Sequence, residues 1–302
     1  MRLHIQPQLG TVALRDISPA VLRGYIATLE SELSPRYARQ IVGSLSNIFE
    51  TAIDDKRLAR NPMRAKSVRW PKAREDQRDA WPLETAQRVR DARYRIAVVL
   101  ALGCGLRQGE VFGLSPEDVD FARGVLRIRR QVQLLGGCLY FTLPKGGKTR
   151  VADMPPSVAA ALARYLMEYP AVEVGLSWDG PEPDRETKKF PLIVTTTYGN
   201  ALRANIFNVE VWKPALAAAG VIPLRKKDER WKASRKDCFH VLRHTYASVI
   251  LEVGESVVTL ARWLGHSSPT ITLDYYAHFM PEAGGKGRGA IDALPGRPAL
   301  AA

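Results

Sequence analysis

Cysteine is scarce and oddly numbered. Cys104, Cys138 and Cys238 are the only three in 302 residues, and none stands in a Cys-x-x-Cys pair. That pattern supports neither a disulfide framework nor a thiolate zinc site, and it reads as small buried side chains in a reducing cytoplasm. Long apolar runs are missing too. Nothing approaches the roughly 18 residues of a membrane span, and the opening Met1-Arg2-Leu3-His4 lacks the apolar stretch of a secretion signal. A cytoplasmic chain with no membrane partner is expected. There is no Gly-x-x-x-x-Gly-Lys-Ser/Thr loop to cradle a nucleotide phosphate, and no carboxylate cluster for a metal. Acidic residues are outnumbered, 31 against 44 Lys and Arg, for a formal charge of +13. Such a surplus is the electrostatic footprint of a polyanion binder, so nucleic acid leads the possible partners. Charge alone does not separate it from a membrane surface or from plain solubility.

What is present suffices for two globular domains. The length allows roughly 100 to 200 residues for each, and a hydrophobic content of 46% can bury a core in both. Ser18-Pro19 and Ser34-Pro35 each set a capping residue before a proline at the first helical position. Behind them, Val21, Leu22, Tyr25, Ile26 and Leu29 form one apolar stripe, and Ala38, Ile41, Val42, Leu45, Phe49 and Ala52 another. Residues 1–63 are therefore expected to be a small helical domain. Its polar faces carry Arg23, Arg36, Arg39, Lys56, Arg57 and Arg60, which suit either a solvated surface or contacts to phosphates. Residues 64–80 are charged, contain Pro71 and lack apolar periodicity, as an interdomain linker does.

The second domain is expected over 81–285, with a flexible tail over 286–302. Leu83 to Gly103 reads as a long helix that breaks at a Gly-x-Gly before Arg107. Val125 to Val132 and Leu139 to Leu143 are β-rich and separated by a hairpin signal, Val151 to Met154 suits a third strand, and Lys145 and Lys148 sit on the intervening tip. Glycine and proline punctuate Glu173 to Pro191, which reads as a surface excursion. Lys226 to Lys236, with Lys232 and Arg235, is densely basic. Helices are expected over Phe239 to Val253, Ser256 to Leu264 and Pro269 to Tyr276. The fold class is mainly α with a small antiparallel sheet.

Phosphodiester cleavage needs a nucleophile, cations for the charge that develops on the non-bridging oxygens, and an acid for the departing oxygen. Candidates stand in order along this domain. Arg107 follows the glycine turn; His240 and Arg243 lie three apart, so both can reach one phosphate from one helix face; His266 follows Gly265; Tyr275-Tyr276 comes next. Taken singly, each has a bland reading as an ion-pair partner, a cap or a packing residue. Their joint order and spacing do not.

Gly105-Leu106-Arg107-Gln108-Gly109-Glu110, His240-Val241-Leu242-Arg243-His244-Thr245, and Leu264-Gly265-His266-Ser267-Ser268-Pro269-Thr270-Ile271-Thr272 running to Tyr276-Ala277-His278 resemble the tyrosine recombinases, and within them the phage integrases. The resemblance runs from about His4 to Phe279 and is looser in the first domain. It implies a helical core-type DNA-binding domain followed by a catalytic domain. It implies that Arg107 and Arg243 clamp the scissile phosphate, that His240 is the general acid/base, that His266 donates to a non-bridging oxygen, and that Lys145, or Lys148 beside it, is the acid for the 5′-oxygen. It further implies double-stranded attachment-site DNA as substrate, no metal or other cofactor, a homotetramer on two duplexes, and accessory host or excisionase factors. Arg36, Arg39, Lys148, Lys232 and Arg235 are the expected DNA-binding side chains. Phage integrases commonly carry a further N-terminal domain for arm-type sites, and the chain begins where the core-binding domain would begin. Two readings follow, a recombinase of core sites only or a truncated gene.

Two counts compete for the nucleophile. Nine residues on from His266 gives Tyr275, whereas two before His278, in the longer Pro-Thr-Ile-Thr-Leu-Asp version of the motif, gives Tyr276. The match from Pro269 to Asp274 favours Tyr276. A type IB topoisomerase shares the constellation, a catalytically idle integrase-derived regulator is a different class of protein, and a nuclease using His240, His244 and His266 would want acidic ligands that are not clustered nearby.

Overall fold

A computed structural model of the chain describes residues 3–72, 80–81, 93–226, 228–232, 234 and 236–280. The chain divides into two compact units, Met1–Asp76 and Gln77–Ala302. In the first, helices α1 (Ile5–Leu9), α2 (Pro19–Glu32) and α3 (Pro35–Asp54) surround one core. Ser18 caps α2, accepting from the Val21 N–H, and Pro19 supplies the φ that the first turn needs. Leu22, Leu29, Val42 and Phe49 are wholly or almost wholly buried between the helices, and each such side chain contributes about 2 kcal/mol of hydrophobic stabilisation. Val21, at the edge of its stripe, is exposed. Residues 64–72, within the stretch expected to link the domains, are not bare: Val68 is buried in this core and Trp70 packs against it.

Early in the second unit stands Trp81, whose backbone N–H donates to Thr245 Oγ1 at 2.9 Å and whose indole stacks on Trp212 at 5.9 Å. The expected helix from Leu83 lies outside the described residues as far as 92; beyond them α4 spans Arg95–Cys104, apolar nearly all round as a core helix is. Then follow α5 (Gln108–Phe112), strands β1 (Val119–Asp120), β2 (Val125–Ile128), β3 (Gln131–Leu135), β4 (Cys138–Thr142) and β5 (Arg150–Asp153), helix α6 (Pro156–Glu168), and strands β6 (Val172–Trp178) and β7 (Thr187–Leu192). Helix α7 (Ala204–Phe207) runs through a π turn into α8 (Lys213–Ala218), and α9 (Val241–Glu252), α10 (Val257–Leu264) and α11 (Pro269–Tyr276) complete the unit. Ser256 and Ser268 cap the last two helices with their side chains.

The sheet differs from expectation in two ways. The run from Val125 to Val132 is broken at Arg129-Arg130 into two strands that join different sheets. One sheet is β1-β2-β5, all antiparallel; the other is β3-β4-β6-β7, in which β4 and β6 run parallel. The hairpin expected near Gly137 is formed by β3 and β4, with Gly136 and Gly137 at positive φ as a two-residue turn requires. Glu173 to Pro191 is not an excursion but the paired strands β6 and β7 with their turn. Of the cysteines, Cys104 is buried but Cys138 is exposed at the start of β4. Among the described residues no helix is long and apolar enough to cross a membrane.

Candidate active site

Helix α4 ends at Gly105, which takes φ +65, and a Cβ built there would lie 2.6 Å from the ring of Tyr246. Only glycine satisfies both the left-handed turn and that approach. The turn delivers Arg107 as the N-cap of α5. Its backbone N–H donates to Glu110 Oε2 at 2.8 Å, and its Nη1 donates to Oε1 at 2.9 Å. Glu110 is 0% exposed. From β5, Arg150 reaches the same carboxylate with both terminal guanidinium nitrogens, Nη1 to Oε1 and Nη2 to Oε2, each at 2.7 Å, and its Nε donates to the carbonyl of Trp263. Burial pushes the Glu110 pKa up, but the Arg150 hydrogen bonds and charge, with Arg107 and Arg243 behind them, pull it down to about 2. One carboxylate thus faces three guanidiniums, and the site keeps a surplus of positive charge.

Arg243, on the first turn of α9, is 1% exposed. Its Nη1 donates to the Gly105 carbonyl at 2.7 Å and its Nη2 to that of Leu264. Those carbonyls close α4 and α10, where helix dipoles favour a cation. Burial, and then the nearby Arg107, draw its pKa down to about 9, so it stays charged at neutral pH. His266 follows Gly265, the left-handed cap of α10, and its Nδ1 shares a 2.8 Å hydrogen bond with Oγ1 of the buried Thr272. Burial first, then Arg243, Arg107, Arg150 and His240, lower its pKa to about 3. The imidazole is therefore neutral at pH 7, and the guanidiniums that depress it are the ones an anion would neutralise.

Tyr276 ends α11 and is only 2% exposed, in a small core with Tyr246, Leu251, Leu260 and Leu264. Its hydroxyl shares a hydrogen bond with Nδ1 of His244, and His240 lies edge-on to His244 with ring centroids 4.8 Å apart. Tyr275 is half-buried, its ring 6.5 Å from that of Tyr276.

Arg107, His240, Arg243, His266 and Tyr276 are thus brought together, each on an element end. Lys145 and Lys148 are not: both stand exposed on the loop between β4 and β5 and neither is hydrogen-bonded to the cluster. In the first unit Arg36 is exposed, while Arg39 donates to the Pro71 carbonyl at 3.0 Å and lies over Trp70. Lys232 is exposed, and Arg235 lies outside the described residues. Three members of the cluster had no part in the strand-transfer reading of the sequence. Glu110 carried a legible signal, an acid three residues after an N-cap; His244 was visible only as part of the motif; Arg150 had none. Among the described residues no group of three or more His, Cys, Asp or Glu stands together as metal ligands would.

No family model matches the chain. A tyrosine recombinase XerC-like protein of Caldanaerobacter subterraneus subsp. tengcongensis is 27% identical over 276 residues, covering 87% of this chain and 67% of the relative. The integrase of Mycobacterium phage L5 is 28% identical over 280 residues, covering 90% and 67%. The chain thus spans about two thirds of the length of these relatives. The Tn1549 transposon integrase, solved in complex with transposon right end DNA, superposes with a TM-score of 0.72 at 20% identity, over 98% of this chain and 91% of that one. A lambda integrase dimer bound to a core site gives 0.57 at 18% identity, over 89% and 85%. At these identities the two structures establish the fold.

Proposed function

We propose that the chain is a tyrosine recombinase of the phage-integrase type, as its relatives are named, and that it exchanges DNA strands at specific sites through a 3′-phosphotyrosyl intermediate. The observation that carries the reading is the pairing of the Tyr276 hydroxyl with an imidazole in a unit where Arg107, Arg150 and Arg243 leave a surplus of positive charge. In the proposed step Tyr276 Oη attacks the scissile phosphorus and the bond to the 5′-oxygen breaks. The phosphate becomes a 3′-phosphotyrosine diester. Arg107 and Arg243 stabilise the charge that grows on the non-bridging oxygens, and neutral His266 donates a hydrogen bond to one of them. The tyrosine proton passes to His244, the imidazole on the hydroxyl, with His240 beside it; this moves the proton-accepting role from the residue that the resemblance suggested. Lys145 gives its proton to the leaving 5′-oxygen. The reverse reaction, with a 5′-hydroxyl from a partner strand, rejoins the DNA without net loss of bond energy.

The relatives named as integrases and Xer-type recombinases favour strand exchange over relaxation of supercoils or a purely regulatory role. Exchange needs two duplexes and four cleavages, so the proposed working form is a homotetramer on paired attachment sites in the cytoplasm, with accessory or excisionase factors setting direction. Exposed Lys148 and Lys232, together with Arg36, Arg39 and Arg235, are the proposed phosphate contacts outside the centre.

The attachment sequence is obtained by sequencing the DNA that stays attached to the chain after denaturation. A nicked half-site duplex of that sequence, incubated with the chain in chelator, should then give a covalent adduct on denaturing electrophoresis. No adduct would reject the reading. Lys145→Ala should slow cleavage of the ordinary substrate by roughly 100- to 10,000-fold, the range for a lost general acid, but spare a substrate with a 5′-thio leaving group, because a thiolate departs without a proton. Were Lys148→Ala to show that rescue instead, the acid would lie three residues further along the loop.

A further inference from the structure

We infer that Arg150 is a positioning residue for strand transfer, holding Glu110, and through it Arg107, in the geometry that receives the scissile phosphate. Its planar fork grips both carboxylate oxygens at 2.7 Å, and the same carboxylate grips Arg107 twice, through the backbone N–H and Nη1. Glu110 is fully buried, so the orientation of Arg107 is set by a group whose two oxygens the Arg150 guanidinium holds side by side. The third guanidinium nitrogen donates to the Trp263 carbonyl at 2.7 Å, two residues before the left-handed turn that carries His266. A Cβ on Gly265 would lie 2.7 Å from Arg150 Cδ, so the turn closes directly against this side chain. Arg150 also begins β5, the strand at the end of the loop that bears Lys145. One side chain therefore ties together three separate stretches: the Arg107 turn, the His266 turn and the base of the lysine loop. A guanidinium is suited to this because one planar group satisfies two carboxylate oxygens and a carbonyl at once, which an ammonium does not.

This inference rests on the strand-transfer reading, and its test keeps the two apart. Single-turnover cleavage by the full chain is measured on the nicked half-site with an ordinary scissile phosphodiester, and with a methylphosphonate at that position, where a methyl replaces one non-bridging oxygen and the negative charge is gone. Arg150→Lys keeps the charge and loses the fork. It is expected to slow the phosphodiester on the order of 100-fold, the scale for a misplaced catalytic group, with DNA affinity unchanged. On the methylphosphonate the slowing should shrink to a few-fold, because one of the two non-bridging oxygens whose charge the guanidiniums stabilise is absent. Combined with Arg107→Ala, Arg150→Lys should cost far less than it does alone, since most of its effect passes through Arg107. Equal slowing of both substrates would reduce Arg150 to general support and overturn the inference, as would losses that multiply in the double variant. If the lysine variant does not fold, Glu110→Gln, which breaks the same link at its centre, carries the same comparison. A wild-type chain that forms no adduct overturns the strand-transfer reading itself; adduct formation by wild type with equal slowing overturns this inference alone.

Discussion

Tyr276→Phe is expected to abolish the covalent adduct completely while leaving DNA binding intact, and Tyr275→Phe to retain cleavage. The substitution removes one oxygen and nothing else, so no other nucleophile is supplied. Successive helical residues diverge by about 100°, and α11 buries Tyr276 in the small core with its hydroxyl on His244, while Tyr275 packs only partly buried against that core. Tyr275 cannot take over without moving the helix. Stability should change little, by about 1 kcal/mol, because one hydrogen bond to His244 is lost from a side chain otherwise kept. Denaturing electrophoresis after incubation with the half-site reads the adduct, and a salt titration of the same duplex reads binding. An adduct from Tyr276→Phe, with none from Tyr275→Phe, would transfer the role to Tyr275 and restore the nine-residue count from His266.

The largest loss of stability is expected at Glu110. Glu110→Ala removes the one carboxylate among Arg107, Arg150 and Arg243, leaving buried cations to face each other. Breaking a buried pair by deleting one partner costs about 3–5 kcal/mol, and that range is expected here in urea unfolding. The same group sets a pH dependence. Its pKa in the fold is about 2 against an ordinary 4.5, so it stays ionised in the folded chain where the unfolded chain takes up a proton. The stabilisation, about 3 kcal/mol from the size of that shift, is fully present above pH 4.5 and disappears as pH falls towards 2. Wild type should therefore lose stability across that window more steeply than Glu110→Ala. Parallel curves, or a neutral-pH cost under about 1 kcal/mol, would show that the carboxylate is not what holds the guanidiniums.

Which parts of this were legible in sequence follows from where the deciding forces lie. Helices α2, α3, α10 and α11 are locally specified: Ser18, Ser256 and Ser268 cap with their own side chains, and the apolar stripes recur at helical spacing. The break at Arg129-Arg130 is specified elsewhere. The run from Val125 to Leu135 contains no glycine or proline, and the two arginines leave the strand because buried Asp118 pairs with both, Arg129 Nε at 2.6 Å and Arg130 Nη2 at 2.9 Å. Strand β6 was hidden for another reason. Its Val172, Val174, Leu176 and Trp178 alternate with Glu173, Gly175 and Ser177, but Gly175 and the nearby Gly180, Pro181 and Pro183 read as loop signals, and the strand is held by pairing with β7 and with the edge of β4. In the site, the residues on the motif turns were legible because glycine marks the turns. Arg150 was not, since its partners Glu110 and Trp263 lie 40 and 113 residues away, and nothing local distinguishes it from the arginines around it.

The depth of Tyr276 has a practical side. Reagents that modify phenols find Tyr198 at 89% exposure and Tyr37 at 41%, but Tyr276 at 2%. Without DNA, the proposed nucleophile is therefore shielded from chance electrophiles, and a preparation labelled on its surface tyrosines is expected to keep its activity. The same shielding makes labelling a reporter, because any state in which the hydroxyl can meet a phosphate is one in which it can also meet a probe.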